Sequence, residues 1–214
     1  MQRRAGRQTI TNPSRHLGIW ITHDLDNLYK ENFPPLILRL KQDLERWNLL
    51  PLSLGGRINT IKMNVMPRFL YLFQCIPIFL TKSFFTSIDK LISEFIWIKK
   101  NPRIRKSMLQ RHRQHGGLSL PNFQIYYWSA NIKVMLCWKE LSSQGTVPKW
   151  LQLENASCGP TSLYALLCSK LPQTEPVSKY SSNPIIKHSV KIWTQIRHSF
   201  SQRLLNLCPH CKKS

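Results

Sequence analysis

Trp47-Asn48-Leu49-Leu50-Pro51-Leu52-Ser53-Leu54-Gly55-Gly56-Arg57-Ile58-Asn59-Thr60-Ile61-Lys62-Met63-Asn64-Val65-Met66-Pro67 is the stretch on which the fold turns. Upstream of it Phe33, Ile37, Leu40, Leu44 and Trp47 recur at helical spacing. Pro51 has no N–H to extend that ladder and ends the helix. Ser53 then stands where a side-chain oxygen can cap a second helix, which runs toward Cys75 and is kinked at Pro67.

Downstream the same period continues. Phe84, Ile88, Leu91, Ile92 and Phe95 mark a third helix stopped by Asn101-Pro102, and Gly116-Gly117 turns the chain into a fourth that runs through Leu141. Residues 142–183 carry Ser, Pro and Gly in abundance and predict loops around a short helix near Ser162 to Lys170. Asn183-Pro184 is a cap followed by proline at the first helical position. The last helix puts Ile186, Val190, Trp193, Phe200, Leu204 and Leu207 on one stripe, with Lys187, Lys191 and His198 opposite. Only Arg15 to Thr22 is β-prone. The expected fold is mostly α, a helical bundle with a short N-terminal β segment and a loop-rich helical C-terminal half.

The chain has 214 residues, of which 42% are hydrophobic and 10% aromatic, enough to bury a core and outside the range of collagen-like or low-complexity chains. Against 31 Lys and Arg stand only 10 Asp and Glu, a net charge of +21. Such an excess points to a polyanionic partner, nucleic acid ahead of an anionic membrane surface. The charge is also segregated. From Phe95 to Lys139 come Lys99, Lys100, Arg103, Arg105, Lys106, Arg111, Arg113, Lys133 and Lys139 without one carboxylate, and Pro176 to Ser214 adds seven cations, again without an acid. Solvated helix faces mix signs, so acid-free tracts spread over several elements suit phosphates. A membrane binder would instead gather its charge beside one apolar face, as a basic amphipathic last helix could do for a membrane or an acidic partner.

The longest apolar run, Phe69 to Leu80, is interrupted by Gln74 and Pro77 and is shorter than the roughly 18 residues of a span. No membrane span and no secretory signal are expected. Six cysteines lack a disulfide framework spacing, which suits an intracellular protein of nucleus or cytoplasm. Cys208-Pro209-His210-Cys211 has zinc-type ligands but no second pair at a matching interval, with His112 and His115 able to join only by proximity. Cys137 and Cys168 lie among apolar helical residues and read as core. Tyr126, Tyr127 and Trp128 could stack bases, although aromatics at helical spacing are more often core. No metal and no cofactor is expected. On the second helix Arg57, Thr60, Asn64, Arg68 and Tyr71 follow offsets of three, four, four and three. That spacing predicts one polar stripe, with donors suited to a sugar-phosphate backbone, or the plain solvent face of a bundle helix.

His16-Leu17-Gly18-Ile19, Trp47 with Leu52 to Pro67, Phe95-Ile96-Trp97, Lys100-Asn101-Pro102-Arg103-Ile104, Gly116-Gly117-Leu118-Ser119-Leu120-Pro121-Asn122-Phe123 and Asn183-Pro184-Ile185-Ile186 with Ile192-Trp193 follow one order. As an ensemble, from Arg15 to Phe200, they resemble the reverse transcriptase of LINE-type non-LTR retrotransposons. The resemblance implies the thumb and the connector after it, downstream of the polymerase palm. It implies segments at 15–30 (a primer-grip-like strand and turn, with Gly18 beside the primer), 31–100 (thumb-like bundle), 101–141 (basic turn and helix) and 142–207 (connector), with 1–14 unmatched and 208–214 a tail. Polymerase chemistry needs paired carboxylates holding two metal ions. The family's aromatic-Ala-Asp-Asp turn is absent, and Asp24-Leu25-Asp26 is its nearest imitation. The resemblance therefore implies a fragment without catalytic residues, not an enzyme alone. It would bind RNA, RNA–DNA hybrid or duplex DNA largely regardless of sequence, through Gly18, Arg57, Thr60, Asn64, Arg68, the basic residues from Lys99 to Arg113, Lys187 and Lys191. An inert remnant of an element is the reading that one sequence leaves beside it.

Overall fold

The computed structural model describes residues 14–22, 24–142, 147–158, 163–168, 181 and 183–199. The protein is mostly α-helical, with one short hairpin near the N-terminus. Strand β1 (Ser14–His16) pairs antiparallel with β2 (Ile19–Ile21), Arg15 opposite Trp20. The β-prone run from Arg15 to Thr22 is thus two strands and a turn. Leu17 at φ 47° and Gly18 at φ 83° supply the two left-handed residues that a tight two-residue hairpin requires.

Helix α1 (Leu25–Asn48) starts at Asp24, whose carboxylate accepts from the Asp26 N–H at 3.3 Å, so the Asp-Leu-Asp triplet forms a helix start. Pro34 and Pro35 lie inside α1. They remove the donors for the carbonyls of Lys30 and Glu31, two exposed residues where water can take their place. Ser53 caps α2 (Leu54–Thr60), accepting from the Gly56 N–H at 3.1 Å as its position predicts. The helix runs on through a π turn (Ile61–Val65) into α3 (Met66–Cys75). The π turn stands just before Pro67, the residue expected to kink this helix, which offers no N–H to the Met63 carbonyl.

Helix α4 (Lys82–Ile96) ends before Asn101-Pro102. Ile98 and Lys99 turn left-handed at φ 53° and 58°, and the Lys99 N–H closes the end on the Glu94 carbonyl at 2.8 Å. A β-branched residue in that region costs about 1–2 kcal/mol. Then follow α5 (Lys106–Gln110), a single 3₁₀ turn (Arg113–His115), α6 (Phe123–Ser142), α7 (Lys149–Ala156), α8 (Leu163–Cys168) and α9 (Pro184–Ser199). Helix α7 falls in a stretch expected to be loops, because eight residues are too few to display a period. The Asn183 side chain caps α9, accepting from the Ile185 N–H at 2.9 Å.

The chain folds as two compact units, Met1–Val65 with Thr86–Leu120 and Met66–Phe85 with Pro121–Ser214. In the first, Phe33, Leu40, Leu44, Ile58, Ile61, Ile88, Ile92 and Phe95 are buried. Asn32, also buried, ties the hairpin to α1: it accepts from the Trp20 N–H and donates to the Trp20 and Leu28 carbonyls. The second unit is built on aromatic rings. Phe69, Phe73, Phe85, Phe123 and Tyr127 meet at centroid distances of 5.2 to 6.2 Å, mostly edge to face, each pair contributing about 0.5–1.5 kcal/mol beyond its buried area.

Candidate nucleic-acid interface

Within the first unit, every residue from Ile98 to Met108 and from Arg111 to Gly116 is exposed, which brings Lys99, Lys100, Arg103, Arg105, Lys106, Arg111 and Arg113 to the surface together. Leu109, buried between them, anchors the segment, and its carbonyl accepts from the Leu118 and Leu120 N–H groups at 3.2 and 2.9 Å. Ser119 donates to the Arg111 carbonyl at 2.9 Å and Gly117 to that of His112 at 3.2 Å, so the stretch from Leu109 to Leu120 is a loop closed by backbone bonds. Both glycines are required. Gly116 is left-handed at φ 75°, and a Cβ on Gly117 would fall 2.1 Å from the Arg111 carbonyl oxygen. A closed loop holds its side chains with little ordering left to do when a ligand arrives.

Two side-chain contacts steer the cations. The Arg113 guanidinium donates to Asn59 Oδ1 on α2 at 3.2 Å, and Lys106 pairs with Asp89 on α4. His112 Nδ1 accepts from the Gln114 N–H at 3.3 Å, leaving its other nitrogen for the surface. Asn59 did not stand out in the sequence, since its partner lies 54 residues away.

The polar stripe expected on the second helix does not hold as one face. Each residue of a π turn advances the helix less than 3.6-residue spacing assumes, so Arg57 and Asn64 do not share a side. Arg57 is 3% exposed, a correction to its expected place on a phosphate-facing surface. Its Nη1 donates to Asn48 Oδ1 at 2.7 Å and to the Phe95 carbonyl at 2.9 Å, and the guanidinium lies over the Phe95 ring at 4.9 Å. Asn48 ends α1 and Phe95 stands in the last turn of α4. The negative ends of two helix dipoles thus converge on one cation, which explains how it is buried without a carboxylate. Thr60 is half-buried and donates to the Gly56 carbonyl, whereas Asn64 and Arg68 are exposed.

Of the remaining expected residues, Gly18 is exposed at the hairpin turn and Lys133 and Lys139 are exposed on α6. Lys187 is half-buried, and Lys191, though exposed, sits over the Phe79 ring at 4.1 Å. Phe200, Leu204, Leu207, Cys208, His210 and Cys211 lie outside the described residues. Tyr127 and Trp128 are buried, leaving Tyr126 exposed on that turn. The Tyr127 hydroxyl donates to the Ile78 carbonyl and accepts from the Leu80 N–H, and burial pushes its pKa up.

Next along α6, Asn131 donates to the Tyr127 carbonyl, and its Oδ1 accepts a hydrogen bond from the His188 Nε2–H at 2.9 Å. Burial, with the Lys191 charge beside it, pushes the His188 pKa down to about 4. His188 Nδ1 is buried with no hydrogen-bond partner among the described residues, which agrees with a neutral ring. Cys158 is buried and its thiol pKa is raised by burial, the opposite of an activated nucleophile. Among the described residues no three His, Cys, Asp or Glu side chains gather as a metal site, and no helix is long and apolar enough to cross a membrane. Compared with known protein families, the chain matches no family model.

Proposed function

We propose that this chain binds template-primer nucleic acid, RNA–DNA hybrid or duplex, through its phosphates, as a thumb and connector piece of a retrotransposon-type reverse transcriptase without a catalytic site of its own. The observation that carries the reading is the exposed segment from Lys99 to Arg113, anchored at Leu109, on which seven cations stand without a carboxylate of its own, Lys106 engaging Asp89 of α4. Phosphate contacts position a protein on a duplex without reading bases, and cations gathered on one exposed, anchored segment suit that task. The ordered motifs from His16 to Trp193 support the polymerase origin, and Gly18 at a hairpin turn fits a primer-side role.

The test is binding to a hybrid and to duplex DNA across a salt series. Each phosphate neutralised contributes about 0.9 to the slope of log affinity against log salt on B-DNA, so engagement of the loop gives a slope near six. A shallow slope together with tight binding to anionic vesicles would favour the membrane reading instead. Primer extension by the purified chain with a primed RNA template, magnesium and nucleotides is expected to be nil, and extension would refute the fragment reading.

A further inference from the structure

Ser107 is the sole serine or threonine between Ser93 and Ser119, so the basic loop carries a single aliphatic hydroxyl. It is exposed, as is every residue from Ile98 to Met108. The segment leading to it has Arg103, Arg105 and Lys106 four, two and one residues before the hydroxyl. Residues 101–104 belong to no helix or strand, and among the described residues no backbone–backbone hydrogen bond engages them. Ser107 is the second residue of the five-residue helix α5 and has three cations among the four residues before it, whereas Ser83, Thr86, Ser87 and Ser93 of α4 have at most one and Ser119, half-buried, has none.

We infer that Ser107 is a phosphorylation site, modified by a serine kinase whose acidic substrate cleft takes the exposed basic segment before it, and that the phosphate turns off nucleic-acid binding by the loop. The second half of this inference rests on the proposed function. In the reaction Ser107 Oγ attacks the γ-phosphorus of ATP, the Oγ–P bond forms and the bond from that phosphorus to the β-phosphate bridging oxygen breaks. ADP leaves with the electron pair, and the hydroxyl proton passes to the kinase's base. The added group carries about −1.5 to −2 charges with strong acceptor oxygens, placed among arginines that can turn to it. Cations engaged by an internal phosphate are withdrawn from an external one.

The full-length chain is treated with a serine kinase that selects basic residues before its target, with magnesium and ATP, and the product is mapped by mass spectrometry. Duplex binding is then measured across a salt series before and after treatment. Phosphate on Ser107, with the salt slope lowered by about two, is the expected result. Ser107→Ala removes that phosphate and binds duplex like the unmodified chain. Failure to incorporate phosphate at Ser107 overturns the site, and full incorporation with an unchanged slope overturns the switch. If the unmodified chain shows no salt-dependent duplex binding, the proposed function and the switch both fail, while the mapped phosphate still decides the site.

Discussion

Around Arg57 the first unit folds two helix ends onto a guanidinium and removes it from water, whereas a few elements later it closes a loop by its backbone and turns the guanidinium of Arg113 outward. Both side chains are held by an asparagine amide oxygen, Asn48 for one and Asn59 for the other. What differs is the second partner: Arg57 also completes the carbonyl ladder of α4. An arginine is therefore interior or surface according to whether orphan carbonyls are within reach, and its residue type does not say which.

The comparison breaks most sharply at Arg57. Arg57→Met is expected to lower unfolding free energy by about 3 kcal/mol, since the Phe95 carbonyl and Asn48 lose their donor in a buried place. Denaturant titration measures this. The salt slope of duplex binding should stay unchanged where the variant remains folded; a lowered slope with intact stability would put Arg57 back on the surface.

His188 extends the interior half of the comparison to the second unit, with a base that gives up its charge. Its pKa is about 4 in the folded chain against an ordinary 6.5, so the unfolded state binds the proton first as pH falls. Stability from this group is present above pH 6.5 and is lost progressively toward pH 4, amounting to about 3 kcal/mol at 1.36 per unit. Tyr127 and Asn131 face the ring as neutral groups, and Lys191 supplies the nearby charge. In His188→Leu this part of the pH dependence should vanish, so the stability gap to wild type narrows from pH 7 to pH 4; a constant gap would mean that the ring protonates freely when folded.

On the surface half, Arg111→Ala with Arg113→Ala should lower the salt slope by about two and change stability by less than about 0.5 kcal/mol. Lys30→Ala with Lys41→Ala, an equal loss of exposed charge on α1, is the control. Equal weakening by both pairs would leave only diffuse attraction. The smallest effect belongs to Asn59→Ala, which frees Arg113 without removing charge: affinity should fall about threefold, near 0.6 kcal/mol, at constant slope. A changed slope would show that Asn59 does more than orient its partner.

Helices longer than about three turns were legible because their apolar residues recur over enough positions to show a period, and Ser53 and Asn183 cap where their residue types predict. Residue types alone show the hairpin only as one β-prone run, because Leu17 is an unusual left-handed turn residue, whereas the resemblance implies a primer-grip hairpin at Leu17-Gly18-Ile19. The π turn leaves no mark in a pattern read at 3.6 residues, so Arg57 was assigned a face it does not have. The exposure of the basic tract was easier to foresee, because seven like charges cannot be buried together at any register.

Asn32 has a further consequence for how the chain meets other chains. Its amide holds both backbone groups of Trp20, so the outer edge of β2 is already occupied when a foreign strand arrives. The other edge, along β1, is protected differently. Two copies pairing there about its central residue would set Arg15 against Arg15, a like-charge pair that opposes association. A three-residue hairpin arm is thus shielded from edge-to-edge aggregation by an amide on one side and by charge on the other.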